Sequence, residues 1–208
     1  MTAARGHLVA LEGIDGCGKS TQARLLADRL DALATFEPGA TPLGSALRSL
    51  LLGRDGAPVA PRAEALLMAA DRAQHVADVI APALEAGRWV VTDRFSASTL
   101  AYQGFGRGLD RRELDDLVGW ATGGIRPDLT VLFDLPVAVA AARRLGQGAD
   151  RMEAEGLAFQ QRVADGYLVL AAEGADRWAV VDATAPVDEI AAAVWSAVEA
   201  VGEPGPSS

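Results

Sequence analysis

The sequence predicts an α/β domain, a parallel β-sheet covered by helices on both faces, from two observations. Apolar, β-branched runs recur at 8–12, 89–92, 129–133 and 178–181, with a weaker one at 33–36, and none shows the polar alternation of a half-solvated strand. Helical patterns fall between them, at about 43–52, 61–86, 110–121, 136–145, 153–173 and 187–200. Sheets of this kind collect ligands at the carboxyl ends of their strands.

The first run, His7–Glu12, leads into Gly13-Ile-Asp-Gly-Cys-Gly18-Lys19-Ser20, and an amphipathic helix is expected over 21–30. The eight residues fit G-x-x-x-x-G-K-[ST], a loop whose backbone N–H groups turn inward around phosphate oxygens ahead of a helix N-terminus. Lys19 is the only lysine among 19 basic residues, the rest being arginine. A compact ammonium fits a tight phosphate cradle where a planar guanidinium is too bulky. Ser20 offers a hydroxyl to Mg²⁺. Two readings stand for Cys17: a small residue in the loop, or a thiol made reactive by Lys19 and the helix end.

Later elements bring further cations. The 33–36 run ends at Phe36, the 43–52 helix carries Arg48, and the 61–86 helix carries Met68, Arg72 and His75, the histidine on a helix face without chemistry. The 89–92 run is followed by Asp93 and Arg94, at the ligand edge, where Arg94 can serve both a neighbouring metal-associated carboxylate and an acceptor phosphate. The last run opens into Asp182-Ala-Thr-Ala-Pro186, and 202–208 reads as a frayed tail. No internal repeat is present.

At 208 residues, half of them apolar, the chain suits one well-buried domain. A formal charge of −9 argues against a nucleic-acid or anionic-membrane surface and for a small partner. One cysteine excludes an intrachain disulfide and a cysteine-based zinc site. The N-terminus lacks a signal-like apolar stretch and no apolar run approaches the ~20 residues of a membrane span, so a cytoplasmic protein is expected.

The chain has no asparagine, which removes the Asn-Lys-x-Asp base reader of GTPases, and Asp93 is followed by Arg94 where a motor ATPase would carry a second acid. A triphosphate cradle beside a second cationic pocket indicates transfer of a phosphoryl group to a phosphorylated acceptor. A phosphate monoester has its second pKa near about 6, so at neutral pH its oxygen attacks without a general base. Catalysis then reduces to alignment and charge neutralisation.

Glu37-Pro-Gly, Leu47–Leu52, Asp93-Arg94-Phe95 with Ser98–Gly108, Arg126–Leu129 and Asp182–Pro186 together resemble bacterial thymidylate kinases, over roughly residues 7–200. Ala101-Tyr-Gln-Gly104 resembles the dTMP kinases rather than those for AMP, GMP or CMP. The resemblance implies a P-loop nucleoside monophosphate kinase fold over 1–201, with a five-stranded parallel sheet, a short lid at about 143–153 and a homodimer. It implies phosphorylation of dTMP to dTDP with ATP as donor and Mg²⁺. Lys19, Arg94, Arg151 and Asp15 would be catalytic. Gly13, Ile14, Asp15, Gly16, Cys17, Gly18, Lys19, Ser20 and Thr21 would cradle ATP, with Arg143 and Arg144 over its phosphates and Ala183 and Thr184 against adenine. Ser20 and Asp93 would serve the metal.

On the acceptor side, Arg48 and Arg94 would hold the dTMP phosphate, with Ser98 beside them. Arg72, Thr99 and Gln103 would address the thymine edge, Asp15 the 3′-hydroxyl, and Tyr102 would crowd the place of a ribose 2′-hydroxyl. Phe36 stands where the family usually has Arg, Met68 where it has a Phe under thymine, and Gly16 where one branch has a catalytic arginine. Met68 either lies beneath the ring or fills the core under its helix. A kinase for another deoxynucleoside monophosphate, or a weakly catalytic nucleotide-binding partner, are the alternatives.

Overall fold

The computed structural model describes residues 5–53, 58–145, 152 and 155–202. Most of the expected lid, including Arg151, and residues 203–208 of the expected tail lie outside the described residues.

Five strands form one sheet: β1 (Leu8–Glu12), β2 (Leu33–Phe36), β3 (Val90–Asp93), β4 (Leu129–Asp134) and β5 (Trp178–Asp182). All pairings are parallel, in the order β2-β3-β1-β4-β5. Every residue of β1 is buried because it has a neighbour on each edge and helices on each face. Val9 and Leu11 join a core with Ala23, Leu26 and Leu30, whereas Leu8 and Ala10 pack with Val76, Ile80 and Leu84. Leu11 is level with Asp93 and Glu12 with Leu132, so the strand ends present their polar residues at one edge. β3 starts one residue later than expected. Trp89 stays outside it, with its carbonyl accepting from Leu33 N and its ring against His7. β4 and β5 each run one residue further, to Asp134 and Asp182, because polar terminal residues escape an apolar-run criterion.

Helix α1 (Lys19–Leu30) begins two residues before its amphipathic pattern. α2 (Pro42–Leu52) is capped by Thr41, which accepts from Gly44 N. The rod expected over 61–86 is α3 (Pro61–His75), a π turn at Val76–Ile80, and α4 (Ala81–Glu85). The widening precedes Pro82, which lacks the N–H of a regular α turn. A helix that periodicity did not indicate follows β3, as α5 (Ser96–Thr99) and a π segment, Leu100–Gly106. The remaining helices are α6 (Arg111–Ala121), α7 (Val137–Arg143), α8 (Leu157–Glu173) and α9 (Val187–Glu199). α8 starts later than the expected 153 because Gly156, at φ 86, breaks helical geometry just ahead of it.

The π segment and α8 close on each other through glycines. A Cβ on Gly106 would stand 2.7 Å from the Phe159 ring, and one on Gly166 would stand 2.5 Å from Phe105. That contact turns Tyr102 and Gln103 into the protein, where both are buried. Among the described residues no helix is long and apolar enough to cross a membrane.

Candidate active site

The loop between β1 and α1 is shaped by its glycines. Gly13 passes so close to β4 that a Cβ would lie 2.8 Å from the Phe133 carbonyl, and Gly18, at φ 94, ends the loop as the N-cap of α1. Lys19 is buried and donates to the Gly13 and Ile14 carbonyls, both at 3.0 Å, and to Cys17 Sγ at 3.5 Å. Cys17 is 1% exposed, packs in the core and does not line the cleft over the loop. A thiol so placed is shut off from reagents, which favours the packing reading. Ser20 donates to Asp93 Oδ2 at 2.5 Å, uniting the two residues expected at a metal.

Two clefts adjoin here. The first, of about 1540 Å³, is lined by Gly16, Gly18, Lys19, Ser20, Thr21 and Asp93, with Arg143 and Arg144 also in its wall. The second, of about 580 Å³, is lined by Leu52, Met68, Arg72, Ser98, Thr99, Tyr102, Gln103 and Met152. Asp15, Glu37, Arg48 and Arg94 line both. Phe36 is 45% exposed and borders the first cleft, not the second. Met68 lines the second, so the position beneath an acceptor ring is open to it.

Arg94 stands at the junction. Its backbone is left-handed (φ 73), its Nη2 donates to Asp15 and, at 3.1 Å, to the Tyr102 hydroxyl, and its Nη1 donates to Ser98 Oγ and Tyr167 Oη, each at 3.1 Å. Tyr102 in turn donates to Asp15 Oδ2 at 3.0 Å. Burial pushes the Asp15 carboxyl up, but the charges of Arg94 and Lys19 and the bonds from Arg94 and Tyr102 outweigh it and hold the group well below the usual carboxylate range. Burial likewise opposes the Arg94 charge, but Asp15 together with the other groups around it, Asp93 among them, outweighs that and raises the guanidinium above its ordinary value, so it stays protonated. Burial also raises the Tyr102 phenol well above its ordinary value, keeping it a neutral donor.

The wall of the second cleft is fixed from behind. Arg48 Nη1 donates to the Pro38 carbonyl at 2.7 Å. Arg72 is buried, and it donates through Nε to Glu37, through Nη1 to Thr99 Oγ1 and through Nη2 to the Phe95 carbonyl, at 2.8, 2.8 and 2.9 Å. Gln103 Nε2 donates to buried Glu64 at 3.0 Å. His75 departs from expectation. It is fully buried, with Nδ1 2.9 Å from Glu37 Oε1 and Nε2 2.6 Å from Thr35 Oγ1, so it braces the acid that holds Arg72. At the far end, Ala183 is buried and its carbonyl accepts from Arg143 at 3.1 Å, while Thr184 N and Oγ1 both donate to Asp182. Neither Ala183 nor Thr184 lines the two clefts.

Glu12 and Tyr167 belong to the site although no motif singled them out. Glu12 is 0% exposed and accepts from Phe95 N, Ser98 N, Ser98 Oγ and Tyr167 Oη at 2.9, 3.2, 2.6 and 2.9 Å. Burial pushes its carboxyl up, while Arg94 and these donors pull it back in part. One signal was present: a carboxylate ending an apolar run covered on both sides must find donors.

A family model described as Thymidylate kinase matches residues 11–194. The chain is similar to the thymidylate kinase of Synechococcus sp. (strain CC9902), 51% identical over 196 residues that span 89% of this chain and 93% of that protein. It is similar to the thymidylate kinase of Cupriavidus necator, 49% identical over 194 residues, with 89% and 94% covered. Among solved structures it is similar to thymidylate kinase from Ehrlichia chaffeensis, with a TM-score of 0.77, 29% identity, and 93% and 99% of the two chains covered.

Proposed function

The chain belongs to the thymidylate kinase family, and from that premise we propose that its two clefts hold the two substrates of one in-line transfer, ATP over the glycine loop and dTMP in the second cleft, yielding ADP and dTDP. The observation that carries this assignment is the shared wall: Asp15 and Arg94 face both clefts, so a group passing between them stays beside the same cation.

An acceptor monoester is largely dianionic at neutral pH and needs no base to attack. The residues supply alignment and charge instead. Lys19 and the loop N–H groups take the donor phosphates, and Arg143 and Arg144 border the same cleft. Arg48 and Arg94 take the acceptor phosphate. Ser20 and Asp93 would hold Mg²⁺, which when bound neutralises the phosphate oxygens. The fit is apt because both donors are oxygens, one hydroxyl and one carboxylate side by side, the kind of sparse hard-ligand set that Mg²⁺ takes alongside substrate phosphates. Tyr102, pinned by Asp15 and Arg94, cannot swing aside for a ribose 2′-hydroxyl, and Arg72 and Gln103 are held against the base end. We also infer a homodimer, supported by α2, α3 and α6 packing side by side with Leu50, Leu66 and Trp120 exposed at 60%, 59% and 83%.

Turnover with ATP, Mg²⁺ and a panel of nucleoside monophosphates tests the assignment. dTMP is expected to give the highest kcat/KM, followed by dUMP, which lacks only the 5-methyl. A higher value for dCMP or AMP would reject it.

A further inference from the structure

Glu12 closes a strand in which every residue is buried, and burying a charge is costly unless donors surround it. Four do, and all can only give or readily give a proton: two backbone N–H groups on Oε1 and two hydroxyls on Oε2. The anion is the form matched to such a shell. The N–H groups belong to Phe95, the residue after Arg94, and Ser98, one helical turn on, and the Arg94 φ of 73 is a conformation that residues other than glycine rarely hold without support. Arg94 N donates to the Leu11 carbonyl at 2.9 Å, so β1 grips the turn on both sides of the guanidinium.

The hydroxyls act on the side chain. Ser98 and Tyr167 are placed to donate to Glu12 Oε2 and to present lone pairs to Arg94 Nη1, 3.1 Å from each, and their two oxygens stand 2.9 Å apart, within hydrogen-bond reach of one another. Glu12 itself lines neither cleft.

We propose that Glu12 is a positioning residue that orients Arg94, through Ser98, Tyr167 and the backbone of the turn, and so sets how tightly the acceptor phosphate is bound. The inference rests on Arg94 meeting that phosphate, as proposed above. Glu12→Gln keeps the shape and reverses the polarity. Its carbonyl must serve the two backbone N–H groups, so its amide N–H₂ faces the hydroxyls; one hydroxyl can then donate to the other across 2.9 Å, and the remaining proton turns toward Arg94. Donors confront donors, and the guanidinium loses its seat.

Calorimetric binding of dTMP and of thymidine, which lacks the phosphate, separates positioning from general damage. In Glu12→Gln, dTMP should weaken about tenfold, with thymidine unchanged within about twofold. Tyr167→Phe should shift the same ratio in the same direction by less, and the double variant should match Glu12→Gln because both act on one chain of bonds. Arg94→Ala is the control and should abolish the preference for dTMP over thymidine. Equal weakening of both ligands in folded Glu12→Gln, additive effects in the double variant, or an unchanged ratio in Glu12→Gln beside a lost one in Arg94→Ala would each overturn the proposal. An unchanged ratio in Arg94→Ala would remove the acceptor-phosphate role and the inference with it. If Glu12→Gln does not fold, Tyr167→Phe decides alone, and an unchanged ratio there overturns the proposal.

Discussion

Lys19 explains why this arginine-rich chain keeps one lysine. Its single nitrogen meets two carbonyls at 3.0 Å and a sulfur at 3.5 Å inside a buried loop, a three-sided seat for a compact ammonium with three donors. A planar guanidinium carries the same charge but not that shape. Lys19→Arg should fold normally and lose about 10²-fold or more in kcat, in the range attached to a single charge-stabilising donor; turnover within about threefold of wild type would show that charge alone suffices. Met68 makes the opposite case, where a swap should help. It lines the second cleft beside Leu52 and Met152, and a flat ring there should improve stacking on a base. Met68→Phe should lower the KM for dTMP several-fold with kcat unchanged, since stacking serves ground and transition states alike. A lower melting temperature with unchanged KM would instead mark overpacking.

The close approach of α8 to the π segment fixes where Tyr102 and Gln103 point, and two glycines permit it. In Gly166→Ala the helix gains intrinsic propensity, about 1 kcal/mol, but the new methyl lies 2.5 Å from the Phe105 ring. Overpacking costs about 1–3 kcal/mol, so the variant should melt lower. Because Phe105 sits two residues beyond Gln103 in the same segment, its KM for dTMP should rise as well. An unchanged melting temperature and KM would show that the segment yields freely. This element also shows what the sequence leaves hidden. Its motif, Ala101-Tyr-Gln-Gly104, was visible, but its helical form was not, because two glycines and a π geometry erase the 3.6-residue period. The loop was legible because its motif lies in contiguous residues, while Arg94 was singled out by its place after a strand and Tyr102 by the resemblance. Glu12 was not, since its partners Phe95 and Tyr167 stand 83 and 155 residues away. His75 was hidden for the same reason: an amphipathic pattern places it on a face, and only the folded chain brings Glu37 and Thr35 to that face.

Taken together, the titrating groups predict a stability optimum on the acid side of neutrality. The chain carries 28 acidic against 19 basic residues, so mild acidification relieves self-repulsion. One buried carboxyl acts in the same direction. Asp71 is raised from 3.8, chiefly by burial, so the fold holds more protons than the unfolded chain above that value. Stability therefore falls as pH rises through its folded pKa and recovers as pH drops. Asp15, Glu173 and Asp182 oppose this. Each is lowered, for Glu173 by its bond from Arg111 and for Asp182 by Thr184, so each contributes stability above its ordinary value and loses it as pH falls toward its folded pKa. Urea midpoints at constant salt should thus rise from about pH 7.5 to about pH 5 and fall below about pH 4. Asp71→Asn, which preserves the shape that accepts Gly39 N, should flatten the upper limb, and Asp15→Asn the lower one. A midpoint that declines steadily from pH 7.5 downward would mean that the paired carboxylates outweigh both Asp71 and the charge surplus across the whole range.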